Sequence, residues 1–358
     1  MGESILIAGR SFCKADIPSL PAASAWQEEL AAFLEEWFSP GPVMRVQTSG
    51  STGEPKVMLA EKKRMEASAR MTCSFLGLKA GDSALLCMPV KYIGARMMVV
   101  RALVQGLDLY CVKPSSHPLR DLGFAPGFLA VTPAQTYTML DSGGEEALLR
   151  NTEHIIIGGG AVDAGLAERL GSFPRHVWST YGMTETLSHI ALRRLNGPQR
   201  SAFYTPFPGV SLSLSPESTL VIRAPAVAED PVVTNDFAEL REDGIFRILG
   251  RKDNVINSGG IKIQIEAVEE QLRSFLPFAF CITAVPDEHY GEIVVMLAAF
   301  GPDKTEREAL ERGLAVLHAY SRPKRVIVVP ELPRTGSGKI DRAGARSIAQ
   351  KLAGGSDA

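Results

Sequence analysis

The sequence predicts an α/β protein: a large N-terminal domain of parallel sheet and helices with a small β-rich subdomain, followed by a small, mobile α+β C-terminal domain. Three changes of pattern predict it. Up to about residue 179, apolar runs of strand length alternate with helical periodicity, as expected of a mostly parallel sheet clothed by helices. From Val210 short strands are separated by Pro, Gly and Asp turns. Beyond Gly250-Arg251-Lys252-Asp253-Asn254 strands and helices mix again. The boundary falls at about 252/253, giving domains 1–252 and 253–358, with the β-rich subdomain at about 203–250.

Each element has a local reason. Ser24 and Gln27 have capping-box spacing, and Trp26, Leu30, Leu34 and Trp37 then share one helical face that ends near Pro40. Met44 to Gln47 reads as a short strand. Met65, Ala69, Cys73 and Leu76 mark a second helix with Gly77 as its C-cap. Strands follow at Ala84 to Met88, Leu107 to Val112, Phe128 to Thr132, His154 to Ile157 and His176 to Ser179, with helices at Ile93 to Gln105, from Pro133 and from Asp163. The β-rich stretch contains strands at Thr219 to Arg223 and Phe246 to Leu249. After the stretch Val255 to Ile263 the last domain reads as helix (Ile265 to Phe275), strands (Phe280 to Val285 and Ile293 to Phe300), helix (Thr305 to Leu317) and strand (Arg325 to Val329).

Composition narrows the function. With 358 residues and 45% hydrophobic content the chain can bury large cores, and its net charge of -2 argues against a nucleic-acid surface. Any anion site must therefore be locally organised. No basic leader followed by an apolar run opens the sequence, and no apolar segment approaches bilayer length, so a cytoplasmic protein is expected. Cys13, Cys73, Cys87, Cys111 and Cys281 are scattered without a C-x-x-C pair, which suits core thiols in a reducing compartment. The six histidines show no ligand spacing, so the metal expected is magnesium carried by a substrate.

The most informative stretch is Thr48-Ser49-Gly50-Ser51-Thr52-Gly53-Glu54-Pro55-Lys56. Four hydroxyls, two glycines and an ammonium in one turn suit a polyphosphate, because glycine permits close backbone approach and successive N–H groups cradle anions. A flexible Ser/Gly linker is the alternative. It is not a Walker loop, and Gly158-Gly159-Gly160 is not a dinucleotide fingerprint, whose third glycine would fall on Asp163. Tyr181-Gly182-Met183-Thr184-Glu185 follows a strand at the edge of the sheet where open α/β folds bind ligands. Glu185 suits Mg²⁺, Thr184 a phosphate and Tyr181 a purine face, although the same pattern starts ordinary helices. Asp236 in Thr234-Asn235-Asp236 suits a ribose diol. Lys339 ends a glycine-rich loop, Pro333-Arg334-Thr335-Gly336-Ser337-Gly338-Lys339, that could carry it to developing negative charge.

Together these segments resemble, in order and approximate spacing from residue 44 to 342, the core motifs of the adenylate-forming superfamily of acyl-CoA synthetases, nonribosomal adenylation domains and luciferases. The resemblance implies that a carboxylate attacks the α-phosphate of MgATP and that a thiol, usually of coenzyme A, then displaces AMP. It assigns Thr48, Ser49, Gly50, Ser51, Thr52, Gly53 and Lys56 to the β- and γ-phosphates, Glu185 to magnesium and Thr184 to the α-phosphate. Asp236 and Arg251 would hold the ribose, while Gly158, Gly159, Gly160, Tyr181 and Gly182 would frame the adenine and acyl pocket. Lys339 would bridge carboxylate and α-phosphate, Asp253 would be the hinge, and Gly259 and Gly260 would face the pantetheine arm.

T-N-D replaces the family's usual T-G-D, with Asp236 retained, and the phosphate loop lies unusually near the start, which favours a compact acid. The short N-terminus, Met88 to Leu103 and Thr184 to His189 are similar to the compact o-succinylbenzoate-CoA ligases of menaquinone biosynthesis. Such a dicarboxylate needs a cation or several donors for its second carboxylate, for which Lys91, Tyr92, Arg96, Ser188 and His189 are candidates, with Thr132 or Gly160 near the ring. Loading of an aryl or other small acid onto a carrier-protein thiol is the alternative. ATP, Mg²⁺, coenzyme A and a small carboxylic acid are the expected ligands; a homodimer is left open.

Overall fold

The computed structural model describes residues 4–20, 24–47, 57–301, 303–335 and 339–353. Its frame is a nine-stranded sheet in the order Thr205–Pro206, His189–Arg194, His176–Gly182, His154–Ile157, Phe128–Val131, Ser83–Leu86, Asp108–Cys111, Ser4–Ile7 and Arg10–Cys13. The strands from His176–Gly182 to Ser4–Ile7 are mutually parallel, and antiparallel partners close both edges. The alternation of side chains explains why the central strands are apolar throughout. Ile156 enters one core with Leu86 and Ala130, whereas Ile155 and Ile157 enter a second with Leu129 and Val131. Helices Lys62–Leu76 and Ile93–Gln105 cover the first core, and Pro133–Leu140 and Ala164–Gly171 the second. A strand buried on both faces has no polar positions to spare.

Expected and observed elements differ at the edges. The strand expected to stop at Ser179 runs on to Gly182, because antiparallel pairing with His189–Arg194 satisfies its backbone. The short edge strands, helix Gly143–Asn151 with its two leading glycines, and the final helix Arg342–Ala353 are elements that periodicity did not mark.

A four-stranded antiparallel meander follows: Ser211–Leu214, Thr219–Arg223, Val232–Leu240 and Phe246–Arg251. A single turn, Lys252–Asn254, leads from it into the last sheet, in which Ile261–Gln264, Val255–Ser258, Gly291–Ala299 and Ala279–Asp287 are neighbours in that order. Arg325–Val328 lies parallel to Gly291–Ala299. Helices Ile265–Arg273 and Lys304–Val316 pack on one side of this sheet and Arg342–Ala353 on the other. Among the described residues no helix is long and apolar enough to cross a membrane.

Candidate active site

The hydroxyl-rich segment is flanked by the paired strands Val43–Gln47 and Val57–Glu61, with Gln47 opposite Val57. The calls on Thr48, Ser49, Gly50, Ser51, Thr52, Gly53 and Lys56 lie outside the described residues. One buried and one half-buried cation lie beside the flanking strands. Lys62 Nζ donates to the carbonyls of Glu36 at 2.8 Å and Ser39 at 2.7 Å. Arg96 Nε donates to Val90 O at 2.8 Å, and its NH1 donates to Arg45 O. Arg96 is thus engaged with backbone at the base of the strand pair.

A polar cluster is assembled from three parts of the chain. Antiparallel register sets Asp236 directly opposite Arg251, and Tyr181 reaches them from the large sheet. Tyr181 OH donates to Asp236 Oδ2 at 2.7 Å, while Arg251 lies 3.4 Å from Asp236 Oδ1 and 3.0 Å from Asp253 Oδ2. Asn235, the departure in the T-N-D triplet, donates to Asp253 at 3.3 Å. Burial, and then the Asp236 carboxylate, push the Tyr181 phenol far above its ordinary range, so it remains a donor. Burial works against the charge on Arg251, but its hydrogen bond to Asp253 and the two carboxylates outweigh that and hold its pKa high. Half-buried Lys339 lies within range of the Arg251 charge: burial first, then that charge, lower its pKa.

Beside them, Thr184–Thr186 forms a single turn in which Thr184 is buried and Glu185 exposed. Glu185 has no hydrogen bond or ion pair to another described residue, so both oxygens are available, and a carboxylate of this kind fits a magnesium ion carried in on a triphosphate. Leu187 ends the turn at φ +62°, a conformation uncommon for a bulky residue. It reverses the chain so that Ser188 passes under Gly182. There glycine is required: a Cβ on Gly182 would lie 2.2 Å from Ser188 O.

Gly158, Gly159 and Gly160 leave the strand His154–Ile157 at its C-terminal end. A Cβ on Gly158 would lie 2.5 Å from Thr180 Oγ1, and Gly159 has φ +75°. Thr132 lies alongside, 3.8 Å from the Cβ position of Gly159, and caps helix Pro133–Leu140 by accepting from Gln135 N at 3.2 Å. Thr132, Gly159 and Gly160 therefore lie together beyond the C-terminal end of the strand.

A further cluster was only half foreseen. Arg101 is 1% exposed, inside helix Ile93–Gln105, and its NH2 donates to Ser188 Oγ at 2.8 Å. Ser188 Oγ is 3.2 Å from His189 Nδ1, His189 Nε2 is 3.0 Å from Thr72 Oγ1, and Thr72 donates to Ser68 O. One proton assignment satisfies every link: Arg101 gives to Ser188, Ser188 to Nδ1, and Nε2–H to Thr72. His189 is accordingly neutral; burial, and then the Arg101 charge, hold its pKa well below the usual value. Burial also lowers Arg101 to about 10 and raises the adjacent Cys73 thiol to about 11. Arg101 Nε has no hydrogen-bond partner among the described residues. A guanidinium this deep and without a carboxylate is expensive unless something anionic joins it. Its signal in the sequence was one arginine in the apolar run Met97 to Leu103. Lys91 is exposed ahead of this helix, with its ammonium 5.2 Å from the Tyr92 ring.

Two further calls have plain structural settings. Gly259 and Gly260, at φ +58° and +81°, form the two-residue turn between Val255–Ser258 and Ile261–Gln264, a conformation that itself demands glycine. Asp253 sits in the turn joining the two last sheets and is held by Arg251 and Asn235. The histidines, which showed no ligand spacing along the chain, do meet across strands: His154, His176 and Glu153 cluster at the opposite end of the sheet. There Arg194 donates to His176 Nδ1 at 2.5 Å and Arg175 pairs with Glu153 at 2.9 Å, so two of the cluster's acceptors already face cations.

Residues 22–224 match the AMP-binding enzyme family, and residues 279–339 match the AMP-binding enzyme C-terminal domain. The 2-succinylbenzoate-CoA ligase of Bacillus cereus is 26% identical over 97% of this chain and 79% of its own length. An acyl-CoA synthetase (AMP-forming)/AMP-acid ligase II-like protein from Dyadobacter fermentans is 30% identical, with TM-score 0.63 over 93% of this chain and 97% of that one. The o-succinylbenzoate coenzyme A synthetase of Bacillus subtilis, solved with ATP and magnesium, shares the fold at 20% identity and TM-score 0.69, over 84% of this chain and 68% of that one.

Proposed function

The chain belongs to the AMP-binding enzyme family, and on that premise we propose that it is an ATP-dependent ligase that joins o-succinylbenzoate to coenzyme A through an acyl-adenylate. The observation that supports the adenylation step is the bonded cluster of Tyr181, Asp236 and Arg251, with Thr184 and Glu185 following Tyr181 in the chain and Lys339 within range of the Arg251 charge. Asp236 accepts the ribose hydroxyls. Lys339 sits between the attacking carboxylate and the α-phosphate, where its charge offsets the negative charge gathering on both. A carboxylate oxygen forms the new bond to the α-phosphorus; the bond to the β-phosphate oxygen breaks, and pyrophosphate leaves with the electron pair. In the second step the thiol sulfur attacks the acyl carbon, the carbon–oxygen bond to AMP breaks, and the thiol proton is lost. Glu185, the single exposed carboxylate of its turn, holds the magnesium that accompanies the phosphates.

The choice of acid rests on Arg101. Its buried, unneutralised guanidinium, with Ser188 and neutral His189, is suited to the second carboxylate of a small diacid, directly or through a water. Relatives named as 2-succinylbenzoate-CoA ligases support the same choice. Thr132, Gly159 and Gly160 then flank the ring. Pyrophosphate release across a panel of carboxylic acids tests the reading. o-Succinylbenzoate should give release and, with coenzyme A, a thioester, and analogues lacking the second carboxylate should lose at least tenfold in kcat/KM. Turnover of monocarboxylates alone would remove the substrate assignment.

A further inference from the structure

Lys339 acts on a site whose other members belong to the N-terminal part, so something must hold the C-terminal part in place while it acts. Helix Ile265–Arg273 touches both. On one side Glu269, 5% exposed, accepts both terminal nitrogens of Arg342, at 2.5 and 2.7 Å, and also Ile282 N at 2.8 Å. Arg342 starts the last helix three residues after Lys339. The stem of Lys339 is closed just behind it, where Thr335 N donates to Lys339 O and Asp341 N to Pro333 O. The position of Lys339 is therefore tied to Glu269. One helical turn further on, Arg273 lies 3.6 Å from Asp163 Oδ2, in the segment that follows Gly160. The two oxygens of Asp163 divide their work. Oδ1 accepts Leu166 N at 2.9 Å and Tyr137 OH at 2.7 Å within the N-terminal part, leaving Oδ2 to face Arg273.

We propose that Asp163 and Arg273 are positioning residues: their ion pair, acting through Glu269 and Arg342, holds Lys339 in the nucleotide site for acyl-adenylate formation and parts before the thiol step. The proposal rests on the two-step reading above. Side-chain exposures of 40% for Arg273 and 16% for Asp163 suit a contact that is made and broken in every cycle, since pairs open to water contribute little and are screened by salt.

Asp163→Asn is the informative variant, because asparagine keeps the helix cap and the Tyr137 bond while removing the charge. Acid-dependent pyrophosphate release should fall roughly two- to fivefold in Asp163→Asn and in Arg273→Gln, and no further in the double variant. Thioester formation from supplied acyl-adenylate should hold steady or rise. Losses that run parallel in both steps, or that add in the double variant, would overturn the proposal. A second measurement needs no turnover and stands even if no acid is activated. Spin labels on Glu168→Cys and Glu311→Cys, exposed positions in the two parts, are placed in a Cys13→Ser background; the remaining cysteines are buried or half-buried. The unsubstituted pair should give one narrow distance and Asp163→Asn a broadened or displaced one; an unchanged distribution would also overturn it.

Discussion

The two cationic centres of this molecule are built in opposite ways. Arg101 is fixed inside a helix, sealed from water, and linked to Ser188, His189 and Thr72 by a directional chain of neutral hydrogen bonds. Arg251 is half-buried between two carboxylates, half-buried Lys339 lies within range of its charge, and both depend on how two sheets meet through the turn Lys252–Asn254. A group that recognises one unchanging feature of a substrate gains from being rigid and desolvated, because its reorganisation has been completed during folding. A group that serves one step and must leave for the next gains from weak, exposed contacts. On the function proposed above, the difference separates recognition from chemistry.

Lys339→Ala offers the most forceful way to break that contrast. Acyl-adenylate formation should fall by about 10²- to 10³-fold, as for loss of a group that acts on transition-state charge, while thioester formation from supplied acyl-adenylate persists. Equal loss of both would mean that Lys339 is not confined to the first step. Arg101→Met should produce the reverse profile. Its KM for the diacid should rise about 10- to 100-fold with little change in ATP affinity, whereas the melting temperature should stay level or increase, because a well-packed apolar side chain replaces an unneutralised charge. A large drop in melting temperature would show that the guanidinium has a structural partner instead. The smallest effect concerns pH. His189 has a folded-state pKa far below its unfolded value, so the unfolded chain takes up the proton first and stability is lost as pH falls below about 6.5. His189→Gln should remove up to roughly 1.4 kcal/mol per pH unit from that slope, leaving the same-signed contributions of His154 and His176. Chemical denaturation at pH 7.5 and 5.5 measures it; an unchanged slope would mean that His189 titrates normally.

Much of the parallel sheet was legible because buried strands leave continuous apolar runs, as at Ile155 to Ile157 and Phe128 to Val131. Motif spacing likewise marked Tyr181, Asp236 and Arg251, which the fold brings within hydrogen-bonding reach. Arg96 and Arg101 were not separable in this way. Both sit on one helix, five residues apart and so on opposite sides of it, and only packing reveals that one fastens a strand pair through backbone carbonyls while the other faces Ser188. The histidine cluster escaped notice because parallel register makes neighbours of His154 and His176 across the width of a helix and two loops.

By itself the sequence determined the order of strands and helices, the glycines at 182, 259 and 260, and the polar residues available for nucleotide chemistry, because each follows from local periodicity or from sterics within a few residues. Only the tertiary structure decided which charges face each other: Asp236 with Tyr181 and Arg251, Arg101 with Ser188, and Asp163 with Arg273. Such pairings come from sheet register and from the packing of elements far apart in the chain, and a charge carries no local mark of the partner that long-range packing will bring to it.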